Sequence, residues 1–111
     1  MAQYLLLFVG LAARPQAEDA ATADYNEQWG RYMGGLAGQG KLVAGAPLEP
    51  HGKVAGRDGV EDSQLQRVDV GGFIVIEAGS DEEAVEVARQ APHIALGGTT
   101  VVRPCAAMRA R

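Results

Sequence analysis

The sequence has a single cysteine, no cluster of basic residues and no apolar run of membrane-spanning length. Cys105 has no partner for an intramolecular disulfide or for a C-x-x-C metal site. A reduced, cytoplasmic setting is therefore expected. The formal net charge of −4, with no Lys/Arg cluster, argues against general binding to nucleic acid. It equally argues against polybasic attachment to an anionic membrane.

The sequence also lacks the short motifs that usually identify an enzyme. It contains no G-x-S-x-G, no H-E-x-x-H, no phosphate-binding loop with Gly-Lys-Ser/Thr and no repeated Cys/His spacing. Its 15 glycines never form G-x-G-x-x-G between a strand and a helix, so dinucleotide binding has no support. We therefore expect neither a metal nor a cofactor, and the sequence by itself names no reaction.

The length of 111 residues predicts one domain, spanning 1–111, with a single core. Tyr4–Val9 is continuously apolar, which favours a strand covered on both faces. A signal peptide is the alternative for this segment. It is disfavoured because no positively charged side chain precedes the run and because Gly10 interrupts it.

An amphipathic helix is predicted next, from apolar and aromatic residues that recur at helical spacing in one stripe. The stripe contains Tyr25, Trp29, Tyr32, Met33 and Leu36. Thr22 is the predicted N-cap, Asp24 would complement the helix dipole in the first turn, and Gly40 would end the helix as its C′ residue.

A row of glycines lies on the opposite face of this helix. The row consists of Gly30, Gly34 and Gly38. One interpretation is a smooth surface for close docking of another backbone. We favour a solvated face, in which each glycine costs about 1 kcal/mol of helix stability relative to alanine.

The middle of the chain predicts a strand and then a hairpin. Lys41–Leu48 suits a half-buried strand with alternate residues on one side, and Pro47 places its far end at an edge. The alternate residues are Leu42, Ala44, Ala46 and Leu48. Asp58-Gly59 predicts a tight turn between short strands Gly52–Arg57 and Gln64–Val70.

The last third of the chain predicts a strand, a helix and a second strand. The strands are Phe73–Glu77, preceded by a Gly71-Gly72 bulge, and Thr99–Pro104. Ser80 as N-cap and Glu83 at N3 form a capping box, and Pro92 would stop the helix. The acidic residues there are thus explained by helix capping. The expected buried side contains Ala84, Val85, Val87, Ala88 and Ala91.

This order of elements predicts a ferredoxin-like split βαβ sandwich, an α+β fold. Two helices would cover one face of an antiparallel sheet. Alternate residues of Tyr4–Val9 and Phe73–Glu77 would make the other face too apolar to remain in water. We therefore expect a homodimer joined through the sheet faces.

His93 is the candidate catalytic residue, because histidine is the usual proton-transfer side chain near neutral pH. It follows Pro92 at the predicted end of the second helix, where helix carbonyls would favour the imidazolium form. The structural alternative is a histidine that caps the helix C-terminus. His51 is interpreted as a solvated loop residue.

Four other residues are candidates for a binding cleft. Tyr25 and Trp29 are expected in the core, from which they could also wall a pocket. Arg103 in the last strand could bind a carboxylate, although an exposed arginine is commoner. Asp58 belongs to a loose acidic group whose spacing does not predict a metal site. The other members of that group are Glu61, Asp62 and Asp69.

Several short motifs together resemble the YCII-related family, and in particular its DGPF-type branch. The motifs, in chain order, are Tyr4-Leu5-Leu6-Leu7, Tyr25-Asn26-Glu27, Gly40-Lys41-Leu42-Val43-Ala44-Gly45, Gly71-Gly72-Phe73-Ile74-Val75-Ile76-Glu77, Asp81-Glu82-Glu83-Ala84, Ala91-Pro92 and Val101-Val102-Arg103-Pro104. The resemblance covers nearly the whole chain. It implies a ferredoxin-like fold that dimerises as an α+β barrel, with a cleft between sheet and helix.

The chain also departs from the family pattern. Asp58-Gly59-Val60-Glu61 stands where the branch has Asp-Gly-Pro-Phe. Members with a His–Asp pair are proposed as small enzymes, but Trp29 and Ala91 occupy the positions of that pair here. Two functions are expected from this: a homodimeric small-molecule-binding or accessory protein, or alternatively a cofactor-free enzyme that uses His93 in proton transfer.

Overall fold

The computed structural model describes residues 1–10, 20–49, 52–63 and 70–106 of the chain. The elements in these ranges are β1 (Ala2–Val9), α1 (Ala20–Gly38), β2 (Leu42–Pro47), β3 (Gly52–Gly56), β4 (Gly59–Ser63), β5 (Val70–Ala78), α2 (Asp81–Arg89) and β6 (Thr99–Pro104). A 3-10 turn, Pro92–Leu96, connects α2 to β6. Within the described ranges, no helix is long and apolar enough to cross a membrane.

Four strands form one antiparallel sheet in the order β2-β5-β1-β6. Strand β1 is therefore central, as its continuous apolar run predicts. One face of the sheet packs against both helices, and this core includes Tyr4, Leu6, Phe8, Leu36, Ile74, Ile76, Ala84, Val87 and Ala88. The arrangement confirms the predicted ferredoxin-like α+β fold with two helices on one side of the sheet.

The predicted glycine bulge is present in strand β5. Phe8 pairs with Gly72 and Val9 pairs with Val70, so Gly71 is the extra residue on the β5 side. Substitution of Gly72 would also bring a Cβ to 3.2 Å from the carbonyl oxygen of Ala46 on the neighbouring strand. The glycine pair thus serves both the register shift and the close approach of β2.

Strand β2 lies at the sheet edge, as Pro47 predicts, but a second irregularity alters which residues share a face. The register shifts between Leu42, which pairs with Ile76, and Ala44, which pairs with Val75. Leu42 therefore lies on the helix-covered face, where it packs against the core, and Ala44 does not. The prediction that Leu42 and Ala44 share one face of the sheet is therefore wrong, because the bulge between them places Leu42 on the opposite face.

The start of helix α1 was predicted incorrectly and its end correctly. The helix already includes Ala20, so Thr22 lies inside it rather than at its N-cap. At the other end Gly40 adopts φ 72° and its N–H donates to the carbonyl of Ala37. The N–H of Lys41 donates to the carbonyl of Leu36, which completes a Schellman motif.

Helix α2 begins at the predicted cap. The N–H of Glu83 donates to Oγ of Ser80 at 3.1 Å. The carboxylate of Glu83 accepts from the N–H of Gly79 rather than from that of Ser80, and it pairs with Lys41 at 3.1 Å. The expected burial holds at Ala84 but not at Val85, which is 45% exposed.

The hairpin is a separate two-stranded sheet, and its turn lies one residue earlier than Asp58-Gly59 predicts. Gly56 pairs with Gly59, so Arg57 and Asp58 form the turn. Strand β3 pairs with Gly59–Ser63, so the predicted partner strand Gln64–Val70 is wrong. Residues 64–69 lie outside the described ranges. Lys53 and Asp62 face each other across the hairpin and form an exposed ion pair at 2.7 Å.

On the second face of the main sheet, none of the described helices packs. The register places Leu5 beside Val75 and Arg103, and Leu7 beside Phe73 and Val101, all on this side. We call this surface the open face. Its apolar band is consistent with the prediction made from alternate residues of β1 and β5.

Candidate functional site

Five ring side chains meet where helix α1 and the 3-10 turn pack over the end of strand β1. We call Phe8, Tyr25, Trp29, Tyr32 and His93 the aromatic cluster. Trp29 is central, because its ring centroid lies within 6.3 Å of that of Tyr25 and within 5.7 Å of that of Tyr32. Helical spacing on α1 supplies three members, and the tertiary packing adds the other two.

His93 lies between two aromatic rings and is only 1% exposed. Its imidazole stacks on the indole of Trp29, with centroids 5.6 Å apart and planes inclined by 22°. The ring of Phe8 meets the imidazole edge-on at 5.3 Å. The described hydrogen bonds join the imidazole to Thr99 and not to a carbonyl of helix α2, so the alternative of a histidine that caps this helix is wrong.

Backbone geometry identifies the tautomer of His93. Nε2 lies 2.7 Å from the carbonyl oxygen of Thr99, and a carbonyl oxygen only accepts hydrogen bonds. Nε2 therefore carries a hydrogen and donates it. The hydroxyl of Thr100 donates to the carbonyl of Ala88 at 3.2 Å, and its oxygen lies 3.4 Å from the same Nε2.

Burial lowers the pKa of His93 below its ordinary value, and the hydrogen bond to Thr99 opposes this to a smaller extent. The expectation that helix carbonyls would favour imidazolium is therefore wrong. The transfer of an imidazolium from water to a buried site costs more free energy than its hydrogen bond to one carbonyl recovers. At neutral pH the side chain is the neutral Nε2–H tautomer, which leaves a lone pair on Nδ1.

Two buried polar atoms of the aromatic cluster have no hydrogen-bond partner in the described part of the protein. They are Nδ1 of His93 and the hydroxyl oxygen of Tyr25. The third polar member, Tyr32, donates to the carbonyl of Val87 at 2.9 Å, and burial raises the pKa of its hydroxyl. Tyr32 is therefore satisfied and neutral, whereas the other two retain free hydrogen-bonding capacity.

Gly98 makes room for the imidazole. A Cβ at this position would clash with Cδ2 of His93 and would lie 2.9 Å from the carbonyl oxygen of Val9. The N–H of Gly98 also donates to the carbonyl of His93 at 3.0 Å. A glycine is therefore required for His93 to lie this close to the end of strand β1.

The structure brings together only three of the five candidate site residues. Tyr25, Trp29 and His93 belong to the aromatic cluster. Asp58 is exposed at the hairpin turn, and no hydrogen bond or ion pair within the described ranges joins it to the cluster. Arg103 pairs with Leu5 and is exposed on the open face, across the sheet from the cluster.

Other candidates from the sequence do not form a site either. The lone Cys105 is exposed, and its N–H donates to the carbonyl of Gln3. His51 and Asp69 lie outside the described residues. Across the parts of the chain that the structure describes, no three His, Cys, Asp or Glu side chains converge as a metal site would require.

Sequence reasoning missed three parts of the site: the edge-on ring of Phe8, the carbonyl of Thr99 and the space at Gly98. The strand pattern placed Phe8 in the core but did not show which helix residue it meets. A Gly-Gly pair directly before β6 is a signal of close backbone approach, and it could have indicated Gly98. The Thr99 contact is a backbone interaction and leaves no trace in side-chain patterns.

Comparisons with known proteins agree with the overall fold. The family model described as YCII-related domain matches residues 6–106. Among solved structures, 5-chloro-2-hydroxyhydroquinone dehydrochlorinase (TftG) from Burkholderia phenoliruptrix AC1100, in complex with 2,5-dihydroxybenzoquinone, has a similar fold. The TM-score is 0.52 at 18% identity, over 91% of this chain and 90% of that one. No protein with a curated function matches the sequence.

Proposed function

The chain belongs to the YCII-related domain family, and we propose that it is a small-molecule-binding or accessory protein that acts as a homodimer. The observation that carries this proposal is the pair of unpartnered polar atoms in the aromatic cluster. Aromatic walls with a few convergent polar groups are typical of small-molecule sites. The cleft residues in this proposal are Tyr25, Trp29 and His93.

The open face supports the homodimer. Its apolar side chains on β1, β5 and β6 face away from both helices, and Val101 is 41% exposed. A surface of this kind on a sheet favours burial against an identical surface, because a two-fold axis pairs each apolar strand with its copy. Arg103 lies on this face, so in the proposal it belongs to the dimer contact rather than to the cleft.

The proposal also covers the domain extent, the family branch and the cellular compartment of the protein. The chain is one domain over 1–111, it is placed in the DGPF-type branch, and it acts in the cytoplasm. Asp58 lies at the hairpin turn within the segment that resembles the branch motif. Its role in a cleft would require contact with a second copy of the chain or with the ligand.

A cofactor-free enzyme is the second candidate, and one specific observation favours it. The neutral His93 presents an unprotonated Nδ1, which is the form that a general base requires. The structurally similar TftG is an enzyme by its title, although identity at this level carries only the fold. Against this candidate, the resemblance places Trp29 and Ala91 at the positions of the His–Asp pair found in members proposed as enzymes, and no carboxylate among the described residues hydrogen-bonds to His93.

Native mass spectrometry of freshly purified protein tests the proposal. We expect the dimer to carry a small molecule, or to take one up from a cell extract, and a Trp29→Ala variant to lose it. A matched control is Tyr32→Phe, because the hydroxyl of Tyr32 is already bonded to the carbonyl of Val87. Protein that binds no molecule before or after incubation would contradict a binding function.

The same preparation separates the two candidates. A molecule that is released with the same mass with which it was bound supports the binding function. A product that forms with the wild-type protein but not with the His93→Gln variant supports the enzyme. His93→Gln keeps a side-chain donor near the carbonyl of Thr99 and removes the basic nitrogen. Circular dichroism and thermal unfolding of the variant establish that a loss of turnover is not a loss of fold.

A further inference from the structure

Nδ1 of His93 and the hydroxyl of Tyr25 are an exception to the usual pairing of buried polar groups. Each has under 1 Å² of exposed area and no partner among the described residues. A buried polar atom that lacks a hydrogen-bond partner destabilises the folded chain. Two such atoms, on rings that both contact Trp29, call for an explanation.

The chemistry of these two atoms restricts what they can bind. With Nε2 committed to the carbonyl of Thr99, the neutral His93 offers only an acceptor at Nδ1. A ligand group facing it must therefore be a donor, such as a hydroxyl or a ring N–H. The hydroxyl of Tyr25 accepts or donates, so it adds a polar contact without restricting the ligand further.

The shape of the surroundings restricts the ligand as well. Trp29 is half-buried and is the most accessible ring that contacts His93, whereas Phe8 is only 4% exposed. A ligand that reaches Nδ1 must displace part of the indole or slide along it. Flat aromatic molecules make favourable offset-stacked or edge-to-face contacts with such rings, and a puckered saturated molecule cannot make these ring–ring contacts.

The charges of the described residues disfavour an anionic ligand. The described lysines and arginines are engaged or placed elsewhere: Lys41 pairs with Glu83, Arg31 with Glu27, Arg89 with Glu86 and Lys53 with Asp62, while Arg57 is exposed at the hairpin turn and Arg103 on the open face. None of them contacts the aromatic cluster. A carboxylate or phosphate brought to His93 would lose its water without gaining a cation from the described residues.

We propose that the aromatic cluster binds an uncharged, flat aromatic molecule that donates a hydroxyl or ring N–H hydrogen bond to Nδ1 of His93. The inference rests on the proposed function, because it names the ligand class of the same site. The inference goes beyond the proposed function because it excludes carboxylates, phosphates and saturated polyols as the natural ligands of this site.

A set of four small-molecule probes of similar size tests the proposed ligand class. The probes are resorcinol, meta-difluorobenzene, benzoate and a cyclohexanediol. Trp29 is the sole tryptophan of the chain, so its fluorescence reports binding directly, and ¹⁵N NMR of the imidazole reports hydrogen bonding at Nδ1. We expect resorcinol to bind about ten-fold more tightly than each other probe, as one added hydrogen bond predicts, and to shift the Nδ1 resonance.

Two variants test whether the ligand binds at the aromatic cluster. Tyr25→Phe should weaken resorcinol binding by about ten-fold or less, while Tyr4→Phe should leave it unchanged, because the Tyr4 hydroxyl lies outside the aromatic cluster and donates to Asp81 at 2.7 Å. Equal or tighter binding of benzoate, difluorobenzene or the diol overturns the ligand class, as does an unshifted Nδ1 resonance with resorcinol bound. No response to any of the four probes overturns it too. If the native mass spectrum showed another bound molecule, the proposed binding function would still hold and only the ligand class would be wrong.

Discussion

The imidazole of His93 lies nearly parallel to the indole of Trp29, with centroids 5.6 Å apart. This stack joins the 3-10 turn before β6 to helix α1, two segments that are far apart in the sequence. The contact therefore depends on tertiary packing, and no pattern within either segment specifies it.

The stability of the protein should fall as the pH is lowered through the range in which His93 titrates. Above about pH 6.5 the imidazole is neutral in both the folded and the unfolded chain. Below that value the unfolded chain binds the proton more readily, because burial lowers the pKa of the folded imidazole. One such proton gives a slope of at most about 1.4 kcal/mol per pH unit.

Urea unfolding between pH 7.5 and pH 5 measures this dependence. The His93→Gln variant should lose that part of the slope, whatever its stability at neutral pH. His51 is present in both proteins, so its contribution cancels in the comparison. Identical slopes for variant and wild type would show that His93 has an ordinary pKa in the folded state.

Gly98→Ala should destabilise the protein and displace His93. The added Cβ would clash with the imidazole and lie 2.9 Å from the carbonyl oxygen of Val9, and overpacking of this kind costs about 1–3 kcal/mol. Chemical denaturation gives the cost, and the fluorescence of Trp29 reports the loss of the stack. Gly52→Ala, where no atom lies within 4 Å of the new Cβ, is the control that should change neither quantity appreciably.

Gly34→Ala should stabilise the protein. Gly34 lies within helix α1, and a Cβ there would meet no atom within 4 Å. Alanine is favoured over glycine in a helix by about 0.5–1 kcal/mol, since it loses less backbone entropy on folding. Thermal unfolding measures the gain. Destabilisation, or a change of oligomeric state, would instead support the alternative that the glycine face of α1 docks against another backbone.

Leu7→Lys should convert the proposed homodimer into a folded monomer. Leu7 lies on the open face between Phe73 and Val101, so a lysine there would place a charge inside the dimer contact and at the surface of a monomer. Light scattering on a size-exclusion column gives the mass. Val85→Lys on the exposed side of α2 is the matched control, and a wild-type protein that is monomeric at micromolar concentration would refute the dimer.

Much of the fold was predictable because it depends on short-range patterns. The Ser80 cap, the Gly40 terminus and the Gly71 bulge each follow from the backbone preferences of one or two residues. The errors arose where a local preference was overridden. Thr22 is a good N-cap residue, but the helix extends past it, and the bulge after Leu42 reverses which face of β2 is buried.

The candidate site was less predictable than the fold. Periodicity placed Tyr25 and Trp29 on the buried stripe of α1, and the chemistry of histidine singled out His93. Asp58 and Arg103 were grouped with them because of residue type alone, and the structure places Arg103 on the opposite face of the sheet. Residue type indicates what a side chain can do but not which neighbours it has.

The amino-acid sequence by itself determined the order of strands and helices, the caps that limit α2 and the apolar character of both sheet faces. These properties depend on the residues within a few positions of each other, and so they can be read along the chain. Only the tertiary structure decided the environment of His93: its burial against Trp29 and Phe8, its tautomer and its free Nδ1. Those properties arise from contacts between distant elements, where the cost of burying a charge outweighs the local helix dipole.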